Sequence, residues 1–124
     1  MGYDLMGAHD TWRFQIGAWR PVLNFAIEHG WQPEGTKAPD YCGLYGMQPA
    51  EAEAHRLSWD GGYYGNDWQE VTDSDARALG EALLRGVAAA EAQERKKPTK
   101  WPDDWFRNVE KLADFVLKGG FLIA

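Results

Sequence analysis

Two long stretches of this chain carry apolar residues at spacings of three and four. In "TDSDARALGEALLRGVAAAEAQERKK" the residues Ala76, Leu79, Gly80, Leu83, Val87 and Ala90 form one stripe, which predicts a helix over about 73–94. In "WPDDWFRNVEKLADFVLKGG" Trp105, Val109, Leu112, Ala113 and Val116 do the same, predicting a helix over about 103–118. Pro102 and two Asp suit its first turn, and Gly119 and Gly120 end it. A shorter stripe of Trp19, Val22, Leu23, Ala26 and Ile27 predicts a helix at about 19–29, with Pro21 in its first turn and Gly30 as its stop. "QPAEAEAHRL" has Pro at a first helical position and good helix formers behind it, so a short helix is expected at 49–57. Gly80 and Gly86 each cost about 1 kcal/mol in a helix interior; their place on or beside the stripe predicts the close approach of another element.

Period-two patterns are fewer. "GYDLMG" at 2–7 alternates as an opening strand, Tyr63 and Tyr64 suit a short strand at 62–64, and "FLIA" reads as a closing strand. Residues 12–18 are open between strand and early helix, because Trp12, Phe14 and Ile16 alternate before the helical spacing begins. From Gln32 to Gly46 the density of Pro and Gly predicts a loop, held by Trp31, Tyr41 and Tyr45. The sum is an α+β fold in a single domain, residues 1–124. A small sheet including the N- and C-terminal strands is packed by two long helices and one or two shorter ones.

Composition adds two facts. The chain holds seven Trp, five Tyr and five Phe in 124 residues. That is more ring surface than a small core easily hides, so at least two Trp should reach solvent as contact candidates. The formal net charge of −6 opposes direct nucleic-acid binding, which rests on Lys and Arg neutralising phosphates. One cysteine, Cys42, allows no internal disulfide and no multi-Cys metal site, and a reducing, cytoplasmic setting follows. A lone Cys of this kind is expected as a small buried hydrophobe. With no apolar run near the length of a membrane span, no membrane association is expected.

The stretch "WDGGYYGNDWQEVTDSDA" at 59–76 concentrates what chemistry the chain offers. Four Asp and one Glu share it with two Trp and two Tyr. A calcium loop starting at Asp60 would need oxygen ligands where Gly62, Tyr64 and Val71 stand, so that class is excluded. The structural reading is a turn at Gly65–Asn66–Asp67 leading into a helix. Val71 would be its staple, Thr72 its cap, and Asp75 the partner in an approximate capping box. His9, His29 and His55 lack metal-ligand spacing, and no catalytic group, metal or cofactor is expected.

The stretch also resembles a family of small bacterial and phage proteins without an established activity. Their pattern has a Trp–x–Gly–x–Tyr turn, Asn-Asp-Gly-Gln, then Val-Ser/Thr and an Asp-Ala that opens a helix. "MGYDLMG", "GAWRPVLNFAIEHGWQPEGT" and "FVLKGGFLIA" are similar to the same family. The resemblance implies an origin in a phage or mobile element. This chain departs from the pattern at Trp68, where the family has Gly.

Between Glu51 and Asp75 seven carboxylates stand against one Arg. Such a tract either is a solvated face or steers a basic protein partner. The second reading takes Tyr63, Tyr64, Asp67, Trp68, Glu70 and Asp73 as partner-binding residues of a non-catalytic inhibitor or adaptor. Two other classes compete with it. One is a small enzyme or ligand-binding domain with a Trp-rich pocket, using His9, Asp10, Asp67 and Glu70. The other is a self-associating structural protein.

Overall fold

The computed structural model describes residues 2–8, 10–94 and 103–124; the expected roles of His9 and Pro102 lie outside them. The chain opens with β1 (Gly2–Gly7), which turns back into β2 (Thr11–Gln15). The Gly7 N–H donates to the Asp10 carbonyl at 2.8 Å to close that turn. The open stretch at 12–18 proves to be both elements: β2 runs straight into α1 (Ile16–Glu28). Because the helix starts earlier than its apolar stripe suggests, Pro21 falls in the second turn rather than the first. With no N–H there, it leaves one intrahelical hydrogen bond unmade. The helix ends as expected at Gly30, whose φ is 102°. Gly30 N–H donates to Ile27 O (3.2 Å) and Trp31 N–H to Ala26 O (3.0 Å), the paired bonds of a Schellman ending.

The remaining elements are α2 (Tyr41–Tyr45), α3 (Pro49–Leu57), β3 (Gln69–Val71), α4 (Asp73–Glu94), α5 (Asp103–Leu117) and β4 (Phe121–Ile123). Two of them correct the sequence reading. The expected loop from Gln32 to Gly46 contains the short helix α2, capped by the Asp40 carboxylate on Gly43 N–H (3.0 Å). The expected strand at 62–64 is instead a loop, and the strand lies at 69–71. Gly61, just before that loop, has a left-handed φ of 75°. The carbonyls of Tyr63 and Tyr64 accept from side chains instead: Trp19 Nε1–H at 2.8 Å and Tyr3 O–H at 2.5 Å.

The sheet is antiparallel throughout, in the order β2-β1-β4-β3, so the two ends of the chain pair at its centre. Asp4 and Ala124 exchange backbone hydrogen bonds of 2.9 and 2.8 Å. Beyond β3, Lys37 forms an isolated bridge with Glu70. Burial alternates along the strands. Tyr3, Leu5, Gln69, Val71, Phe121 and Ile123 face the helices, while Asp4, Met6, Glu70 and Leu122 lie on the opposite, more open face.

One core cluster joins sheet and helices: Leu5 and Ile123 with Trp19, Leu23, Leu79, Leu83, Leu112 and Val116, among others. The expected stripes of α4 and α5 are buried, apart from Ala90 and Trp105, which are half-buried. On α1 the prediction needs one exchange: Ile27 is 46% exposed and Phe25 is buried in its stead. The two helical glycines explain themselves. A Cβ on Gly80 would lie 2.7 Å from Leu117 of α5, and one on Gly86 would lie 2.5 Å from the Phe25 ring of α1. Such separations leave no room for a methyl group, so the helices meet at the two places where a side chain is missing. Among the described residues no helix is long and apolar enough to cross a membrane.

Candidate functional site

The acidic stretch divides into an inner and an outer half. Asp75 belongs to the inner half and is fully buried. Thr72 caps α4, its Oγ1 accepting the Asp75 N–H at 3.4 Å. The Asp75 carboxylate turns away from the expected capping box and into the molecule. One oxygen accepts Trp31 Nε1–H (3.0 Å) and Glu34 N–H (3.3 Å); the other accepts Tyr63 O–H (2.5 Å). The Tyr63 oxygen in turn accepts Gly35 N–H at 2.9 Å. A carboxylate in the first turn of a helix also gains from the helix dipole, so the buried charge is compensated on every side. Burial first, and then the hydrogen bond to Asp75, pushes the Tyr63 phenol well above the ordinary tyrosine range.

Gln69 is the second buried polar anchor. Its amide N–H groups donate to Gly65 O (2.5 Å) and Gly62 O (3.3 Å), while its Oε1 accepts Asp67 N–H (2.9 Å). Thr36 adds a third tie, donating to Gly62 O at 2.7 Å and accepting Trp59 Nε1–H at 3.1 Å. These bonds fix the turn at 60–67 against α4 and the 31–37 segment. Gln69 does not figure among the residues singled out from sequence, and Asp75 figures there only as a capping-box partner, though both leave a trace of their burial. Gln69 alternates with Val71 on the inward face of a strand, and Asp75 stands one helical turn before Leu79 on the buried stripe.

The outer half differs. Trp68 N–H donates to Ile123 O at 2.7 Å, while Gln69 also stands opposite Ile123 in the ladder. Two residues against one, the first with a φ of +69°, is the form of β-bulge whose first position suits glycine. A left-handed backbone costs a side-chain-bearing residue about 1–2 kcal/mol, and a bulky one is a true outlier there. At this position the chain holds a strained Trp that is 37% exposed.

The six residues expected to bind a partner therefore separate. Tyr63 is a correction: at 9% exposure, with its hydroxyl committed to Asp75, it is a core residue and presents no anchor. Tyr64 is half-buried, with the Arg20 guanidinium 3.9 Å above its ring. Asp67, Trp68, Glu70 and Asp73 are exposed, although Asp73 also accepts Gly120 N–H at 2.6 Å. Of the seven carboxylates from Glu51 to Asp75, six face solvent. Of the described Trp residues, Trp68 is exposed and Trp12, Trp59 and Trp105 are half-buried.

Next to this surface stand α2 and α3, which contain no buried residue. Tyr41 packs its ring against Tyr45 and His55, at centroid distances of 5.9 and 5.3 Å. Its phenol is raised above the ordinary value by partial desolvation and then by the Asp67 carboxylate, with Tyr45 and Asp60 adding to it. Asp60 and Asp67, which flank the turn before Trp68, thus lie within electrostatic reach of α2. Cys42 lies exposed on α2 rather than buried as expected, because α2 has no core to face.

Of the polar groups of the pocket alternative, the described ones, Asp10, Asp67 and Glu70, stand in different settings. Asp10 is ion-paired with Lys118 at 2.7 Å beside a 70 Å³ cavity under the β1–β2 turn. Glu70 lies on the open sheet face with Met6 and Leu122, and Asp67 belongs to the turn near Tyr41. No group of three or more His, Cys, Asp or Glu suited to hold a metal ion occurs among the described residues. No family model, curated protein or solved structure matches the chain.

Proposed function

We propose that this protein is a small, acidic, non-catalytic module of the cytoplasm that inhibits or adapts a basic protein partner. We further propose that its likeness to small bacterial and phage proteins marks an origin in a phage or mobile element. The observation that carries the binding role is Trp68. A left-handed Trp stands at a bulge with a backbone cost that Gly would remove, and the residue is 37% exposed. Strain held at an exposed aromatic residue is a mark of a contact made elsewhere, and Trp is the residue most enriched at binding hot spots. Asp67 and Glu70 beside it supply the charge that steers a basic surface to it.

Capture from a lysate of the native host, at low and high salt, with Trp68→Gly alongside, tests this. A partner retained by the wild type, released by salt and lost by the variant supports the reading. Equal retention by the variant contradicts it.

A further inference from the structure

Resting on that binding role, we infer that the α2–α3 arm is the seat of the partner, and that its occupant is a Lys/Arg-rich segment of a partner protein with one apolar face. Of the six large apolar side chains exposed among the described residues, Leu44, Tyr45 and Leu57 lie on this arm and Trp68 lies on the adjoining turn. Leu57, at 71%, is the most exposed of them. α2 and α3 bury no residue, and a groove of about 280 Å³ between them is lined by Pro39, Tyr41, Pro49 and Ala52 together with Asp40, Glu53 and Arg56.

Charge selects the occupant. From residue 38 to residue 69 the chain carries Asp40, Glu51, Glu53, Asp60 and Asp67 against one cation, Arg56, which is itself ion-paired with Glu53. An apolar surface rimmed by one sign of charge favours an apolar partner of the opposite sign. The same rim opposes a second copy of this chain, which would bring like charge against like.

The arm is anchored at both ends. Lys37 exchanges hydrogen bonds of 2.8 and 3.0 Å with Glu70 before it, and Trp59 Nε1–H reaches Thr36 O at 3.2 Å after it. The hairpin is thus held in place while its outer side chains stay free.

The experiment titrates the full-length protein with a short synthetic peptide of Leu and Lys at amphipathic helical spacing, and with an isomer of the same composition in scrambled order. Binding of the patterned peptide, weakened about tenfold or more both by scrambling and by Leu44→Ser/Leu57→Ser, is the expected result. Equal affinity for the scrambled isomer, no binding of either peptide, or unchanged affinity in the double variant overturns the inference. Trp68→Gly, titrated in parallel, separates the two claims. Loss confined to Trp68→Gly keeps the binding role and removes the arm from it; loss confined to the double variant keeps the arm and removes Trp68. A concentration-dependent dimer that the double variant abolishes assigns the arm to a second copy and overturns the basic occupant.

Discussion

Asp75 and Asp67 are eight positions apart in one acidic stretch and are the same residue type, yet they do opposite things. Asp75 is buried and receives three hydrogen bonds, so its charge is spent on joining α4 to the 31–37 segment and to Tyr63. Asp67 is exposed, and among the described residues only its backbone N–H is held, by Gln69. The same division separates Tyr63 from Tyr45 and Trp31 from Trp68. Composition therefore says little about whether an acidic, aromatic segment binds a partner. What decides is where each carboxylate finds its donors: an inward group with every bond satisfied is architecture, and an outward group without them is left to act on something else.

The contrast breaks most visibly at Asp75. Asp75→Ala leaves two buried donors, on Trp31 and Tyr63, and the part-buried Glu34 N–H without their acceptor and should cost about 3–5 kcal/mol of stability in urea denaturation. Asp75→Asn keeps one acceptor oxygen and should cost less. Tyr63→Phe comes next. It removes one hydrogen bond to Asp75 and strands Gly35 N–H, for about 1–3 kcal/mol.

That variant also has a pH signature. The folded phenol keeps its proton where the unfolded one has lost it. The stability it contributes is therefore complete below the ordinary tyrosine value of about 10 and falls as pH rises from there toward the raised folded value. Wild type should lose stability over that alkaline interval, and Tyr63→Phe should lack this part of the slope; equal slopes would place the phenol outside the buried network. At the small end, Leu57→Ser on the arm should shift stability by no more than about 0.5 kcal/mol. A larger loss would mean that α3 packs on the body and is not a free surface.

The fold was legible in the chain wherever a pattern ran long. Four apolar turns were enough to place α4 and α5 almost to the residue, and the small residues Gly80 and Gly86 announced the helix contacts before any contact was visible. β3 was misplaced because a strand of three residues carries one alternation, and Tyr63–Tyr64 mimicked it more strongly than Gln69–Val71 did. Asp75 reads as a capping-box partner because its spacing from Thr72 satisfies a local rule; the competing donors, on Trp31 and Tyr63, are far away in sequence.

The binding candidates were legible in part. Trp68, Asp67 and Glu70 are exposed as expected, but the reason Trp68 is unusual, its left-handed backbone, is visible only in three dimensions. Of the arm, only α3 is legible as a short helix, with α2 hidden in an expected loop, and neither is legible as a surface, since Leu44 and Leu57 in a pattern look like any other core residues.

The central claim is that Trp68 is kept for a contact and not for the fold. Its most direct test is urea denaturation of wild type, Trp68→Gly and Trp68→Ala. If the claim holds, Trp68→Gly matches wild type within about 1 kcal/mol, because relief of the left-handed backbone offsets the lost ring packing. Trp68→Ala, which loses the ring and keeps the strain, falls about 1 kcal/mol below it. A Trp68→Gly variant destabilised by more than about 2 kcal/mol would show that the ring holds the bulge and the sheet together, and the contact role would fall.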